Sequence, residues 1–287
     1  MKAELELAGL TGKIAALEMG QPGGRPVLAV HGWLDNAASF IPLAQFLPNY
    51  HWVSIDLPGH GRSQHRPDGA IYHLMDYVAD ISAVVDDLGW GEFDIVGHSL
   101  GAAIAGYFCA AFPEKVGRLV LIDGIGSMTD SEGEVLSRLR KAVAHLQSKR
   151  RSHSKPLKRN GYESWGSLID SRLQAGKMHR ENAKLLMERA AVECNGRVVV
   201  ASDPRLKSPS FVYLSESQVS EILSGISSKT LFIQAQSGFA IGQSATLKRL
   251  AAIDEIEVVS LPGYHHLHMD EAESVAAQMA GFFSGVR

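Results

Sequence analysis

Gly97-His98-Ser99-Leu100-Gly101 holds the residue types that can turn an inert hydroxyl into a nucleophile. Gly-x-Ser-x-Gly between a strand and a helix puts the serine on a sharp turn, its hydroxyl projecting from the sheet edge. Side chains two positions either side would collide with strand and helix, so glycine is favoured at 97 and 101. Ser99 then lies at a helix N-terminus, where free N–H groups and the helix dipole favour developing negative charge. The N–H of Leu100 can point at an oxyanion. The five residues alone also fit a glycine-rich turn with an inert serine. The flanks favour chemistry: residues 93–96 end in apolar, β-prone types, and residues 100–111 are Ala-rich and helical in pattern.

A serine hydroxyl needs a base at neutral pH. The base needs a carboxylate to fix its tautomer, and the oxyanion needs two donors. In an open parallel sheet such groups collect at the carboxyl ends of strands. Four loops there carry reactive residues: His31-Gly32-Trp33, residues 97–101, Asp123-Gly124 and residues 264–268. A histidine in the last loop can act as base. The N–H groups of Leu100 and Trp33 can serve the oxyanion.

The pattern predicts elements that would hold these loops. Residues 4–8 and 12–19 read as a hairpin, and residues 26–32, 51–56, 93–96 and 118–123 as buried strands. Ser39 is expected to cap a helix through Leu47, with Phe40, Leu43 and Phe46 on one face. Residues 72–88 read as a helix with Leu74, Val78, Ile81 and Val85 on one side. Strands alternating with helices predict a mostly parallel α/β sheet. The alternation stops after Gly124, and residues 127–227 read as helical, without strand alternation, 178–192 being one helix. Sheet rhythm returns at 229–234 and 255–261, with helices at 244–252 and from 270 to about 283. The insertion is expected over the strand ends, as a lid on the substrate pocket.

Composition narrows the classes. The chain has 287 residues, 45% hydrophobic and 21% charged, ordinary for a soluble globular protein. The net charge of −3 and pI of about 6.5 give no ground for nucleic acid or an anionic membrane. Basic residues at 149–151 and 155–159 read as a solvated face. Cys109 and Cys194 form no metal or redox spacing. The N-terminal residues lack an apolar signal core, and no apolar run is long enough to span a bilayer, so a cytoplasmic location is expected.

These motifs together resemble the α/β-hydrolase-fold serine hydrolases over nearly the whole chain. They are His31-Gly32, Asp56-Leu57-Pro58-Gly59-His60-Gly61-Arg62-Ser63, Gly97-His98-Ser99-Leu100-Gly101 and residues 263–270. His31-Gly32-Trp33-Leu34-Asp35-Asn36 and His265-His266-Leu267-His268-Met269-Asp270 resemble the serum hydrolase-like branch. The resemblance implies an eight-stranded, mostly parallel sheet flanked by helices, with residues 1–126 and 228–287 as core and 127–227 as an inserted helical cap. It implies Ser99 as nucleophile, His265 as base, Trp33 and Leu100 as oxyanion donors, and no cofactor.

One segment departs from the family. The acid usually follows the seventh strand, but Gln234-Ala235-Gln236-Ser237-Gly238-Phe239 holds no carboxylate. Some members take the acid from the end of the preceding core strand, here Asp123. The alternatives are a cap carboxylate or a triad with no acid, with Gln234 or Gln236 accepting from His265. His266 is an alternative base. His31 is expected to shape the oxyanion turn, and His98 to pack beside the elbow. His60 and Arg62 would hold their loop, and Asp35 and Asn36 serve a local turn or cap. Clustered histidines suggest metal, but no carboxylate or cysteine pattern supports it, so none is expected. The expected activity is acyl-enzyme hydrolysis of a small-molecule ester or thioester of a small to medium hydrophobic acid. A C–C bond hydrolase or lactonase, or a ligand-binding protein on the same scaffold, are the alternatives. Serine at 99 argues against dehalogenases and epoxide hydrolases, which carry aspartate there.

Overall fold

The computed structural model describes residues 2–152 (side chains to 149), 161–239 and 244–285. The basic run 155–159 lies outside these residues. The strands are β1 (Lys2–Ala8), β2 (Lys13–Gly20), β3 (Pro26–Val30), β4 (His51–Ile55), β5 (Phe93–His98), β6 (Val116–Ile122), β7 (Ala191–Cys194), β8 (Arg197–Val200), β9 (Lys229–Ser237) and β10 (Ile256–Tyr264). Eight form one sheet in the order β1-β2-β4-β3-β5-β6-β9-β10. β1–β2 and β2–β4 are antiparallel, and the remaining neighbours are parallel.

The helices α1 (Ile41–Phe46), α2 (Leu74–Leu88) and α3 (Leu100–Ala111) link the early strands. α4 (Val135–Ser152), α5 (Trp165–Ala175), α6 (Arg180–Ala190) and α7 (Glu216–Ser224) lie between β6 and β9. α8 (Ser244–Leu250), α9 (Leu267–Asp270) and α10 (Ala272–Ser284) complete the chain. Both faces of the sheet are covered, which is why its inner strands read as unbroken apolar runs. On one face Ile81, Val85, Ile104 and Phe108 of α2 and α3 pack on Leu28, Ile95 and Leu121. On the other, Leu43, Val275 and Met279 of α1 and α10 pack on Val27, Val96 and Ile122. Each such side chain contributes roughly 1.5–3 kcal/mol by leaving water. Cys109 is buried, Cys194 exposed, and both are free thiols.

Four readings change. Ser39 does not cap a helix: it lies inside a 3-10 turn at Ala37–Phe40, and Asn36 caps it, its side chain accepting from the Ala38 N–H at 3.0 Å. Phe46 is 48% exposed, so it leaves the face shared by Phe40 and Leu43. The helix read over 178–192 ends at Ala190, because β7 and β8 form an antiparallel hairpin inside the insertion. Its turn is Asn195-Gly196, both residues at positive φ (51° and 70°). That dipeptide between apolar runs is the sequence signal for a hairpin. α7 falls within 127–227, yet its Val219 and Leu223 share a core cluster with α3 and the sheet. The rest of the insertion has its own small core of Leu168, Ile169, Ala183, Leu186, Met187 and Val198, joined by Met269 from α9.

Candidate active site

Ser99 sits between β5 and α3 with φ 53° and ψ −113°, a conformation costly for any residue but glycine. The elbow is held by its backbone. Ser99 N–H donates to Ile122 O at 3.0 Å, and Ser99 O accepts from Ala102 N–H at 3.0 Å. Helix and strand approach so closely that a Cβ on Gly101 would lie 1.9 Å from Val30 O. Leu100 is the first residue of α3, so its N–H has no partner within the helix. Ser99 and Leu100 are half-buried.

His265, from the loop after β10, reaches this hydroxyl. Its Nε2 lies 2.9 Å from Ser99 Oγ, and its Nδ1 lies 2.6 Å from Asp123 Oδ2. A carboxylate accepts only, so Nδ1 carries the proton and the Nε2 lone pair faces the serine. Asp123 is fully buried at the end of β6, with φ 45°. Its Oδ1 accepts from Ala235 N–H at 3.1 Å and its Oδ2 from Phe239 N–H at 2.9 Å. The segment without a carboxylate therefore supplies backbone donors to one. Its Gly238 is required there, since a Cβ would lie 2.3 Å from either Asp123 oxygen. Gln234 and Gln236 do not take this place. Phe239, 73% exposed, sets its ring 5.3 Å from that of His265.

Other histidines near the elbow hydrogen-bond or pack within the fold. His98 donates from Nε2 to His265 O at 2.7 Å, tying the elbow to the histidine loop. Burial, reinforced by the neighbouring imidazoles, holds His98 and His268 well below the usual histidine range. His31 donates from Nδ1 to Gly32 O at 2.7 Å and accepts the Leu57 N–H on Nε2 at 3.0 Å, shaping the turn that carries Trp33. Burial pulls His31 down to about 4 and His60 to about 3. In the turn, Asp35 N–H donates to Gly32 O at 3.1 Å and Leu34 has φ 64°. Trp33 is 52% exposed, its indole N–H donating to Leu206 O at 3.2 Å.

His266 is turned away from Ser99. Its Nε2 donates to Asp35 Oδ2 at 3.0 Å. Asp35 does more than the expected local turn: its Oδ1 also accepts from Arg172 of α5 at 2.9 Å. Burial would raise its carboxyl, but His266 and Arg172 hold it below the usual range. Asp35, His98 and His266 bring ligand-type atoms within 4.8 Å of one another, a grouping the sequence reading did not find. The Arg172 Nη2, 2.9 Å from Asp35 and 3.0 Å from His266 Nε2, already occupies that side as a cation.

A second carboxylate docks the insertion. Asp56 Oδ1 accepts from Ala37 N–H at 2.7 Å, and its Oδ2 from Arg62 N–H at 2.8 Å. Arg189 Nε of α6 donates to both oxygens at 2.9 Å. Asn36 adds a donor to Leu186 O at 2.8 Å. Asp56 stood in a quoted motif, but Arg172 and Arg189 carried no signal, because their partners lie more than ninety residues away.

This architecture and elbow are those of the α/β hydrolases, and the chain belongs to that family: residues 25–272 match the family described as alpha/beta hydrolase fold. It is 32% identical over 281 residues to a serine hydrolase-like protein of Danio rerio, covering 94% of this chain and 85% of that one. It is 32% identical over 301 residues to serine hydrolase-like protein 2 of Homo sapiens, covering 98% and 93%. A hypothetical protein from Pseudomonas aeruginosa PAO1 superimposes with a TM-score of 0.91 at 33% identity, covering 98% of this chain and 99% of that one. The thioesterase domain from the curacin biosynthetic pathway shares the fold, with a TM-score of 0.82 at 24% identity over 98% and 99% of the chains. Among the described residues no helix is long and apolar enough to cross a membrane.

Proposed function

We propose that this chain is a serine hydrolase acting on a carboxylic ester or thioester of a small to medium hydrophobic acid, through an acyl-enzyme. One observation carries the reading: Ser99 Oγ, the His265 imidazole and the Asp123 carboxylate form a continuous chain with contacts of 2.9 and 2.6 Å. Ser99 Oγ attacks the carbonyl carbon while its proton passes to His265 Nε2. The oxygen that becomes negative is received by the N–H groups of Leu100 and Trp33. The C–O or C–S bond then breaks, and the leaving group takes the proton from His265. Water attacks the acyl-enzyme, losing a proton to His265, which returns it to Ser99 Oγ as the acid departs. Asp123 holds the tautomer and stabilises the imidazolium in both halves. The exposed Phe239 ring beside His265 supports an apolar acyl group.

Hydrolysis of p-nitrophenyl butyrate and labelling by a fluorophosphonate test the reading. Ser99→Ala should abolish both. Equal, slow hydrolysis by wild type and Ser99→Ala would sink it. A ligand-binding protein on this scaffold is suggested by the lack of a carboxylate in residues 234–239; the Asp123–His265 contact supports catalysis instead.

A further inference from the structure

Helix α4 carries an apolar stripe that its described neighbours leave partly exposed, with the buried Ala142 at its edge. Leu136, Leu139, Val143 and Leu146 recur at three- and four-residue spacing and so share a face, with Val135 adjoining them. They are 56, 42, 38, 36 and 44% exposed, in that order. A single exposed leucine is ordinary, but a contiguous stripe marks an interaction surface. The helix is held to the body through other residues. Arg138 Nη2 donates to Asp130 Oδ1 at 2.6 Å and its guanidinium lies 3.7 Å from the Tyr213 ring centroid. His145 Nε2 lies 3.4 Å from Ser208 Oγ, and Ala142 is buried.

Charge identifies the partner. α4 contains six Lys or Arg and no Asp or Glu, within a chain of net charge −3. The whole-chain charge hides this local excess. Arg140, one turn from Leu136, borders the stripe, and Lys141 lies on the opposite, polar side of the helix; both are exposed. A helix with an apolar face and cations on its polar side is the pattern of one lying in the plane of a bilayer surface. Its apolar side enters the acyl boundary while its cations meet acidic headgroups. A second copy of this chain would instead bring the same cations together across a two-fold interface.

We propose that α4 docks this protein on an anionic lipid surface. The inference does not depend on the catalytic reading. The test is flotation of the full chain with vesicles of phosphatidylcholine alone and of an equimolar phosphatidylcholine–phosphatidylglycerol mixture, over a salt series. Wild type should float with the anionic vesicles, more weakly with the neutral ones, and less as salt rises. R140A/K141A should weaken binding about 30-fold, from about 1 kcal/mol per cation. L139D/L146D should abolish it. Both pairs are exposed, and circular dichroism checks that the variants fold. Failure to bind anionic vesicles, or unchanged binding by both variants, overturns the proposal. A dimer in light scattering that L139D/L146D splits, with no vesicle binding, assigns the stripe to a second copy and also overturns it.

Discussion

Asp123→Asn tests the catalytic reading at the point where the chain departs from its family's usual pattern. Three donors converge on this carboxylate: His265 Nδ1 at 2.6 Å and Phe239 N–H at 2.9 Å on Oδ2, and Ala235 N–H at 3.1 Å on Oδ1. A carboxylate accepts on both oxygens, whereas an amide accepts on one side and donates on the other. Asparagine must therefore aim its NH2 at an N–H in either orientation. With the NH2 on the Oδ1 side it opposes only Ala235; on the other side it opposes both Phe239 and His265. The first orientation costs less, and it leaves His265 with its proton on Nδ1. What is lost is the negative charge facing the imidazolium. Charges about 4 Å apart at an effective dielectric constant of about 20 interact by about 4 kcal/mol. That is roughly three orders of magnitude in rate. Imidazolium forms only on the way to the transition state, so the loss should fall on kcat and leave KM nearly unchanged. The assay is kcat and KM for p-nitrophenyl butyrate, with circular dichroism to confirm the fold. A folded Asp123→Asn whose kcat stays within about threefold of wild type refutes the assignment of Asp123.

Arg189→Met leaves Asp56 buried without its cation, so stability should fall by about 3–5 kcal/mol. A Tm lower by roughly 10 °C in thermal denaturation is expected, and an unchanged Tm would count against the docking role. Asp35→Asn removes the charge shared by the oxyanion turn, His266 and Arg172; kcat should drop between about ten- and a hundredfold, as small displacements of reacting groups do. Full fluorophosphonate reactivity in that variant would separate Asp35 from the site. Acid should destabilise the fold through its buried histidines. The folded pKa values of His31 (about 4) and His60 (about 3) lie below the unfolded value of 6.5, so the unfolded chain binds more protons in that window. Stability is then complete above about pH 6.5 and falls on acidification, by about 1.4 kcal/mol per pH unit for each such histidine. A Tm that is flat from pH 7 to pH 5 would contradict this.

The inner strands were legible because they are short apolar runs alternating with helices, whereas their pairing order, with β4 between β2 and β3, emerges only in the fold. Ser99 and its turn were legible because the Gly-x-Ser-x-Gly signal is local, although contacts with Ile122 and Val30, distant in sequence, help to shape the elbow. Asp123 was weighed rather than read. The carboxylate lies 142 residues from His265, and only folding shows that Ala235 and Phe239 offer it their N–H groups. The β7–β8 hairpin was missed although Asn195-Gly196 announced it, because the surrounding helical pattern outweighed a two-residue signal. α7 was assigned to the insertion on sequence position alone. Its apolar spacing is the same whether it packs on the cap or on α3, and only the partner distinguishes them.

The reactive groups hang on loops, and loops are ordinarily the mobile part of a protein. Here each is braced by a neighbour rather than by its own strand. His98 leaves the elbow to hold the backbone of His265, and His266 leaves the histidine loop to hold Asp35 beside the turn that carries Trp33. Burial keeps His98 uncharged, so its contact to a carbonyl does not change over the neutral range. The geometry between Ser99 and His265 is thus set within the sheet domain before substrate arrives. That is the preorganisation an oxyanion-stabilising site requires. The insertion attaches to the same frame through two cations, Arg172 on Asp35 and Arg189 on Asp56. Arg189 lies fully inside, while Arg172 keeps 15% of its side chain in solvent. Asp35 is therefore shared: the carboxylate that holds the insertion through Arg172 also holds the histidine loop through His266, beside the turn that carries Trp33.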